Sequence, residues 1–253
     1  GLQCGGLKMG NKGPTRHLKR HMSPPFWPIH RKGGTWAVRT SSGPHSLNTS
    51  IPTKVIMRDQ LNYATTAREA KSLIKSGKMV VDGLVRKDDR FPVGLMDVVH
   101  IPDTGEYFRV LPDHGGKLKF LALTAEEGKF KLCRLIGKTT IKGGKTQLNL
   151  HDGNNLVLST ETDQYKVNDV LKIKVPEKEV MDSIEFKEMQ QVIITGGRSQ
   201  GAQGVLIGLG PEPGWKKTAT IRTPDGDDFR TLSRYLFVVG TNESVITLDA
   251  GEE

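Results

Sequence analysis

The first 58 residues of this 253-residue chain lack Asp and Glu entirely, and Asp59 is the first acidic residue. The same segment carries ten Lys or Arg, whereas the remaining 195 residues carry 27 Lys or Arg against 28 Asp or Glu. The net charge of +9 therefore belongs to the N-terminal segment. Such an asymmetry indicates a polyanionic partner, most often nucleic acid and less often an anionic membrane.

Cysteine and long apolar runs are also scarce. Cys4 and Cys133 are the only cysteines and stand far apart, which argues against a disulfide framework and a Cys-based zinc site. His17 and His21 stand four residues apart, but no third ligand is nearby, so we reject a metal site. No apolar run approaches the roughly 18 residues of a spanning helix, and the N-terminus lacks a secretory core. We expect a cytosolic protein without cofactors.

Residues 9–50 are rich in Gly, Pro, His and basic side chains, and they predict an extended arm rather than a domain. Five prolines prevent a long helix or a central strand there. Too few apolar side chains are present to offset the entropy of ordering, so we expect the arm to order on binding. Residues 1–8, "GLQCGGLK", receive no role.

The arm supplies most of the candidate RNA-binding residues. Its cations suit phosphates, its histidines can hydrogen-bond them, and its two tryptophans can stack on unpaired bases. The bland alternative, a solvated tail with incidental charge, is less favoured because the basic run is uninterrupted by acids. The predicted contacts in the arm are Lys12, Arg16, His17, Lys19, Arg20, His21, Trp27, His30, Arg31, Lys32, Trp36 and Arg39.

Residues 51–102 predict a compact α/β module. Val55, Ile56 and Leu61 have helical spacing, and a second helix over residues 66–76 starts with Thr66 and Glu69 in capping-box register. The helix ends at a glycine, residue 77, and "VVDGLV" then predicts a hairpin turned at residues 82–83.

A basic face on this second helix adds further candidates. Its cations recur at helical spacing opposite the apolar stripe, and more follow the hairpin. A solvated outer face explains such spacing by default, but the neighbouring arm favours RNA contact. The predicted contacts here are Arg68, Lys71, Lys75, Lys78, Arg86 and Lys87.

The rest of the chain predicts antiparallel β-structure. Short β-branched segments separated by turns indicate a central β domain over residues 103–178 and a second small module over 179–240, both barrel-like. Residues 241–253 form an acidic tail that we expect to be mobile. The fold class is therefore α+β and multidomain: a basic arm, a small α/β module and two small antiparallel barrels.

Two glycine-rich stretches need interpretation. "GGKT" at residues 143–146 lacks the leading glycine of a phosphate-binding loop and reads as a turn between strands. In "TGGRSQGAQGVLIGL", the glycines allow a tight loop that exposes an arginine and backbone N–H groups. A mere hairpin and an RNA contact are equally favoured there, and the candidates are Gly197, Arg198, Gly201 and Gly204.

Together these segments resemble a known family. "TAREAKSLIKSGKMVVDGLVRKDDRFPVGLMDVV" is similar to the S4-type RNA-binding fold, and "VIITGGRSQGAQGVLIGL" is similar to the KOW motif of SH3-like barrels. Behind the arm "MGNKGPTRHLKR…WPIHRKGGTWAVRTSSGPH", this order resembles the S4e family of small-subunit ribosomal proteins, in its archaeal form. The resemblance implies a structural protein bound to small-subunit rRNA and to neighbouring ribosomal proteins, cytoplasmic, not membrane-bound and not a homo-oligomer.

Two other functions stay open at this point. An RNA-modifying enzyme could carry an S4-type module, but residues 103–240 show no catalytic constellation, and Asp225, Asp227 and Asp228 read as a hairpin turn. A transcription-elongation factor could carry a KOW motif, but the arm and the S4-type module argue against it. We therefore expect a protein without catalytic activity.

Overall fold

The computed structural model describes residues 17–30, 32–158, 164–210, 217–224, 226–241 and 244–248. Antiparallel β-sheet dominates these residues, and the helices are few and short. The predicted mixture of α and β structure is therefore confirmed at this coarse level. The predicted extension 1–8 and three predicted contacts, Lys12, Arg16 and Arg31, lie outside the described residues.

The described part of the arm starts with a two-stranded hairpin. Strand β1 (Leu18–Lys19) pairs antiparallel with β2 (Trp36–Ala37), so that Lys19 faces Trp36 across the pair. Short 3-10 turns follow at Arg20–Met22 and Leu47–Thr49. The arm then enters β3 (Ser50–Pro52), which pairs with β6 (Pro92–Gly94) of the next region.

The predicted helical pair is present. Helix α1 (Thr53–Val55) continues as a π-helical turn (Ile56–Gln60), and α2 (Ala67–Lys75) follows. The Thr66 hydroxyl accepts the Glu69 backbone N–H at 3.2 Å, which satisfies one of the donors left open at a helix start. The Glu69 carboxylate in turn accepts the Thr65 N–H at 2.9 Å, so the predicted capping residues do begin α2.

The first large sheet has five strands in the order β5-β4-β7-β8-β9. The turn between β4 and β5 has positive φ at Asp82 (50°) and Gly83 (71°), which confirms the predicted hairpin. The boundary predicted at 102/103 falls within this sheet, because β7 pairs with β8. The strands are β4 (Val80–Val81), β5 (Leu84–Val85), β7 (Val98–Ile101), β8 (Glu106–Pro112) and β9 (Leu118–Leu123).

The second large sheet runs in the order β12-β11-β10-β13-β14. Its long central strand pairs with β13 through its first half and with β11 through its second half. The last strand begins after the boundary predicted at 178/179, so this sheet also crosses it. The strands are β10 (Phe130–Thr140), β11 (Thr146–Leu150), β12 (Asn155–Leu158), β13 (Val170–Lys174) and β14 (Val180–Ile184).

The third large sheet runs in the order β18-β17-β16-β15-β19. The glycine-rich loop joins β15 to β16 as a hairpin, and the predicted "GGKT" segment is the turn between β10 and β11. The strand order of each of these three sheets is linear. Their closure into SH3-like barrels stays a prediction. The strands are β15 (Gln191–Ile194), β16 (Gln203–Leu209), β17 (Thr218–Arg222), β18 (Asp228–Leu232) and β19 (Leu236–Gly240).

The arm is built into the core of the protein, contrary to the prediction that it orders only on binding. Leu18 and Trp27 are buried in the same apolar cluster as Ile51, Val55 and Ile56. The prediction counted only the arm's own apolar side chains. The helices and the first sheet supply the rest, and this shared burial offsets the entropy of ordering the arm.

The start of the acidic tail is also packed, which corrects the expectation that the whole tail is mobile. Ile246 is buried in the apolar cluster that includes Phe237 and Val239. The Val245 N–H donates to the Val239 carbonyl at 2.8 Å, and the Thr247 hydroxyl donates to Glu127 at 2.8 Å. Residues 249–253 lie outside the described residues.

Candidate nucleic-acid interface

The outer side of the arm hairpin carries three of the predicted contacts. Leu18 points inward and is buried, so its strand neighbours His17 and Lys19 are exposed, as the alternation of a strand requires. Trp36 is 56% exposed, and the His17 ring lies against it with the centroids 5.4 Å apart and the planes tilted by 51°. Lys19 lies opposite Trp36 in the ladder, and directly opposed side chains share one face.

Arg20 holds the arm together from within. Its guanidinium Nη1 donates to the His30 carbonyl at 2.6 Å, and its backbone N–H donates to the Thr35 carbonyl at 2.9 Å. A Cβ atom at Gly33 would lie 3.1 Å from the same Nη1, so the loop closes tightly over the arginine. His21, His30 and Lys32 are exposed on the surface of this loop, in positions open to a partner.

Trp27 does not contribute a stacking surface. Only 4% of it is exposed, and its indole N–H donates to the Ser50 carbonyl at 2.8 Å. Buried tryptophans usually satisfy their N–H in this way. The prediction that Trp27 stacks on a base is therefore wrong, because the ring is buried in the core that it shares with Val55.

A cleft of about 290 Å³ opens between the arm hairpin and the helices, and we refer to it as the arm cleft. Four of its lining side chains are Lys or Arg and one is Asp, so positive charge dominates. Lys54 pairs with Asp89 at 2.5 Å, and the charges of Lys54 and Lys71 outweigh burial and lower the pKa of Asp89. Its polar and aromatic lining is His17, Trp36, Arg39, Lys54, Lys71, Asp89 and Arg90.

Hydrogen bonds hold the loop that contributes Asp89 and Arg90 to the floor of the arm cleft. The Ser41 N–H donates to the Arg90 carbonyl at 2.8 Å, and the Ser41 hydroxyl donates to the Asp88 carboxylate at 2.7 Å. From the other side, the Lys54 N–H donates to the Asp89 carbonyl at 3.1 Å. The loop that carries Arg90 is thus bound to both the arm and α1.

The predicted basic face of α2 is exposed. Arg68, Lys71 and Lys75 lie on the surface, while Ala70 and Ile74 are buried on the opposite side. Lys71 is the member of this face that reaches the arm cleft. The face and the arm hairpin therefore border one surface, and RNA contact by this face stays a prediction.

Beyond α2 the predicted cations divide. Lys78 pairs with Asp103 at 2.7 Å, so its charge is partly neutralised within the protein. Arg86 is half-buried, and its guanidinium carbon lies 4.3 Å from the centre of the Phe91 ring in a cation–π contact. Lys87 is exposed.

In the glycine-rich loop, two of the four predicted contacts are exposed. Gly197 has a φ of 88° and is exposed together with Arg198. Gly201 packs against the turn after β8, where a Cβ would lie 2.8 Å from the Asp113 carbonyl carbon. Gly204 is buried, and a Cβ there would meet the Arg222 backbone, so its absent side chain serves strand packing rather than RNA contact.

A buried charge cluster that the sequence did not reveal joins three parts of the fold. Lys131 on β10 is 3% exposed, and its Nζ lies 2.7 Å from Asp82, 3.2 Å from Asp97 and 2.6 Å from Asp152. His45 of the arm completes it, with Nε2 2.9 Å from Asp97 Oδ2. We call these five residues the Lys131 cluster.

The pKa shifts within this cluster follow from burial and close charges. Burial opposes ionisation of Asp97, but Lys131 and His45 outweigh it and hold the pKa of Asp97 well below its usual range. At Asp152 burial also opposes ionisation, but Lys131 outweighs it and lowers the pKa of Asp152 to about 2. Burial likewise opposes the charge of His45, yet Asp97 raises the pKa of His45 above its ordinary value. The carboxylates thus favour the charged forms of Lys131 and His45.

Neighbouring His151 behaves in the opposite way. It is buried without a carboxylate partner of its own, and burial lowers the pKa of His151 to about 4. Its Nδ1 accepts the Arg134 N–H at 3.1 Å and its Nε2 donates to the Leu95 carbonyl at 3.2 Å, which defines a neutral tautomer. Its role is structural, between the first and second sheets.

Among the described residues, no group of three or more His, Cys, Asp or Glu side chains is placed so that it could hold a metal ion, and no helix is long and apolar enough to cross a membrane. The predicted Asp227–Asp228 turn lies between β17 and β18, where Asp228 pairs with Arg222 at 2.9 Å. Asp225 lies outside the described residues.

Comparison with known proteins identifies the family. The model of ribosomal family S4e matches residues 104–180, and the RS4NT (NUC023) domain matches residues 12–48. The small ribosomal subunit protein eS4 of Methanothermobacter thermautotrophicus is 46% identical over 94% of this chain and 97% of its own. That of Methanocaldococcus jannaschii is 43% identical over 95% of this chain and 100% of its own.

A solved structure agrees with these matches. The crystal structure of the 30S ribosomal protein S4e from Thermoplasma acidophilum superposes with a TM-score of 0.64 at 29% identity, covering 76% of this chain and 96% of that chain. The chain therefore belongs to ribosomal family S4e, and the resemblance seen in the sequence is confirmed. The KOW assignment of residues 192–209 stays a prediction.

Proposed function

We propose that this chain is a structural constituent of the small ribosomal subunit that binds and stabilises small-subunit rRNA. The observation that carries the proposal is the surface shared by the arm hairpin, the arm cleft and the basic face of α2, in a member of family S4e. Cations dominate this surface, and it lies in the part of the chain where acidic residues are absent or few.

The mechanism is neutralisation of the RNA backbone. Exposed Lys and Arg replace the counterions condensed on phosphates, so that each contact steepens the dependence of affinity on salt by roughly 0.7–0.9 in log–log slope. Because the arm is already packed on the helices and the first sheet, the hairpin is presented in a fixed place. Little ordering entropy then opposes binding by residues 17–50.

Because the chain belongs to a structural ribosomal family, we reject the RNA-modifying enzyme as an alternative function. The same membership argues against a transcription-elongation factor. We infer that the protein acts in the cytoplasm as a single copy beside other ribosomal proteins. The exposed Gly197–Arg198 tip of the third sheet is a second contact in this proposal, to RNA or to a neighbouring protein.

Sedimentation tests the proposal directly. A native lysate is separated on a sucrose gradient and blotted for this chain at low salt and at roughly 0.5 M salt, where only multivalent contacts persist. Comigration with the small subunit under both conditions is expected. A chain that stays at the top of the gradient under both conditions contradicts the proposal and indicates a free RNA-binding factor.

A further inference from the structure

Trp36 is the exposed aromatic side chain that the packing of the arm leaves unexplained. The two tryptophans of the arm have opposite fates, since Trp27 is 4% exposed and Trp36 is 56% exposed. A large ring exposed at this level gains little from folding. Nothing in β1 or β2 requires it, because Leu18 already provides the inward contact of the hairpin.

The surroundings of Trp36 would suit a ligand that combines negative charge with an aromatic ring. On one side the ring borders the arm cleft, which is lined by Arg39, Lys54, Lys71 and Arg90. On the other side Lys19 lies directly across the ladder. A base stacked on the indole would therefore have cations on both sides for its two flanking phosphates.

We propose that Trp36 stacks on an unpaired nucleotide, so that the arm cleft is a binding site for single-stranded RNA within the rRNA-binding surface proposed above. Aromatic side chains stack on splayed bases of single strands, whereas the bases of an A-form duplex are already stacked and cannot be reached in this way. His17, tilted against the same ring, forms one wall of the site. The inference rests on the proposed function.

The site is fixed before RNA arrives. Ser41 binds the Arg90 carbonyl and the Asp88 carboxylate, which holds the cleft floor to the arm, and Arg20 closes the loop that returns the chain to β2. A rigid aromatic platform beside fixed cations loses little freedom on binding. The same surface without Trp36 would bind a duplex and a single strand by charge alone.

The test compares two RNAs with the full-length protein. A 12-nucleotide oligouridine and a 12-base-pair RNA duplex are titrated at several salt concentrations, with wild type, Trp36→Ala and Trp36→Phe. We expect Trp36→Ala to weaken oligouridine binding about tenfold, as loss of one base stack does, and to change duplex binding less than twofold. Trp36→Phe is expected to keep most of the affinity for oligouridine.

A matched control is Met22→Ala, which removes another exposed apolar side chain of the arm, 69% exposed, that does not line the arm cleft. It should change neither affinity. Urea unfolding of each variant checks that folding is intact. If Trp36→Ala weakens both RNAs equally, or neither, the stacking site is refuted while the proposed function stands. If wild type binds neither RNA, both fail.

Discussion

The Lys131 cluster and the arm cleft both combine basic residues with Asp, but in different proportions. In the Lys131 cluster, one buried ammonium lies within 3.2 Å of three carboxylates, and the acids outnumber the lysine. In the arm cleft, four Lys or Arg line the surface with one Asp. A buried cation must be paired, whereas an exposed one tolerates solvent and is available to a polyanion. The acid-to-base ratio therefore distinguishes the buried Lys131 cluster from the surface that we propose for RNA.

The largest effect is expected when the Lys131 cluster loses its cation. Lys131→Met leaves Asp82, Asp97 and Asp152 close together with only His45 to compensate them, and removal of one partner of a buried pair costs about 3–5 kcal/mol. Urea unfolding should show a loss in this range. The control is Lys142→Met on the exposed turn after β10, which should change stability by less than about 0.5 kcal/mol. Equal effects of the two variants would show that the cluster does not stabilise the fold.

The two tryptophans of the arm sharpen the contrast between buried and exposed positions. Trp27→Ala removes a ring from the core and the hydrogen bond to Ser50, and it should lower the free energy of unfolding by about 3 kcal/mol. Trp36→Ala should lower it by less than about 1 kcal/mol, because the ring is exposed. Thermal and urea unfolding of both variants measure this difference. A stable Trp27→Ala protein would mean that the arm is not part of the core.

Removing cations from the proposed binding surface should change the salt dependence of RNA binding rather than the stability of the protein. Replacing Arg68, Lys71 and Lys75 of α2 by Gln should flatten the log–log salt dependence of rRNA binding by roughly 2–3, and leave the unfolding curve nearly unchanged. The matched control replaces Lys142 and Lys145 of the β10–β11 turn by Gln, and should leave the slope as it is. An unchanged slope in the α2 variant would exclude this helix face from the interface.

The smallest effect concerns pH. The folded pKa of His45 is raised, so the stability that it contributes is complete below the ordinary histidine pKa and is lost as pH rises through the folded value. The lowered pKa of His151 acts with the opposite sign, so the contribution of His45 is read from the difference in stability between wild type and His45→Gln, which should shrink as pH rises from 6 towards 8.5. Urea unfolding across the interval compares the slopes, and parallel curves would show that His45 is not ion-paired with Asp97.

Local sequence signals were enough where the structure depends on neighbours along the chain. Thr66 and Glu69 begin α2 through hydrogen bonds between residues three or four positions apart. Asp82 and Gly83 turn the hairpin through their own backbone preference. The exposure of Arg68, Lys71 and Lys75 followed from helical spacing alone. The wrong predictions concern long-range packing. Trp27 bonds to Ser50, 23 residues away, and no pattern within the arm indicates this contact.

By itself the sequence determined the uneven distribution of charge, the local elements and, through its motifs, the family. These features depend on composition and short spacings, which survive any arrangement of the chain. Only the tertiary structure decided which cations are buried in ion pairs and which lie on the surface that we propose for RNA. Lys131 lies 49 residues from Asp82 and 34 from Asp97, so its burial depends on two sheets meeting at the arm. The same folding buries Trp27, because its ring lies in the core shared with Ile51 and Val55, and it leaves Trp36 exposed beside the cleft.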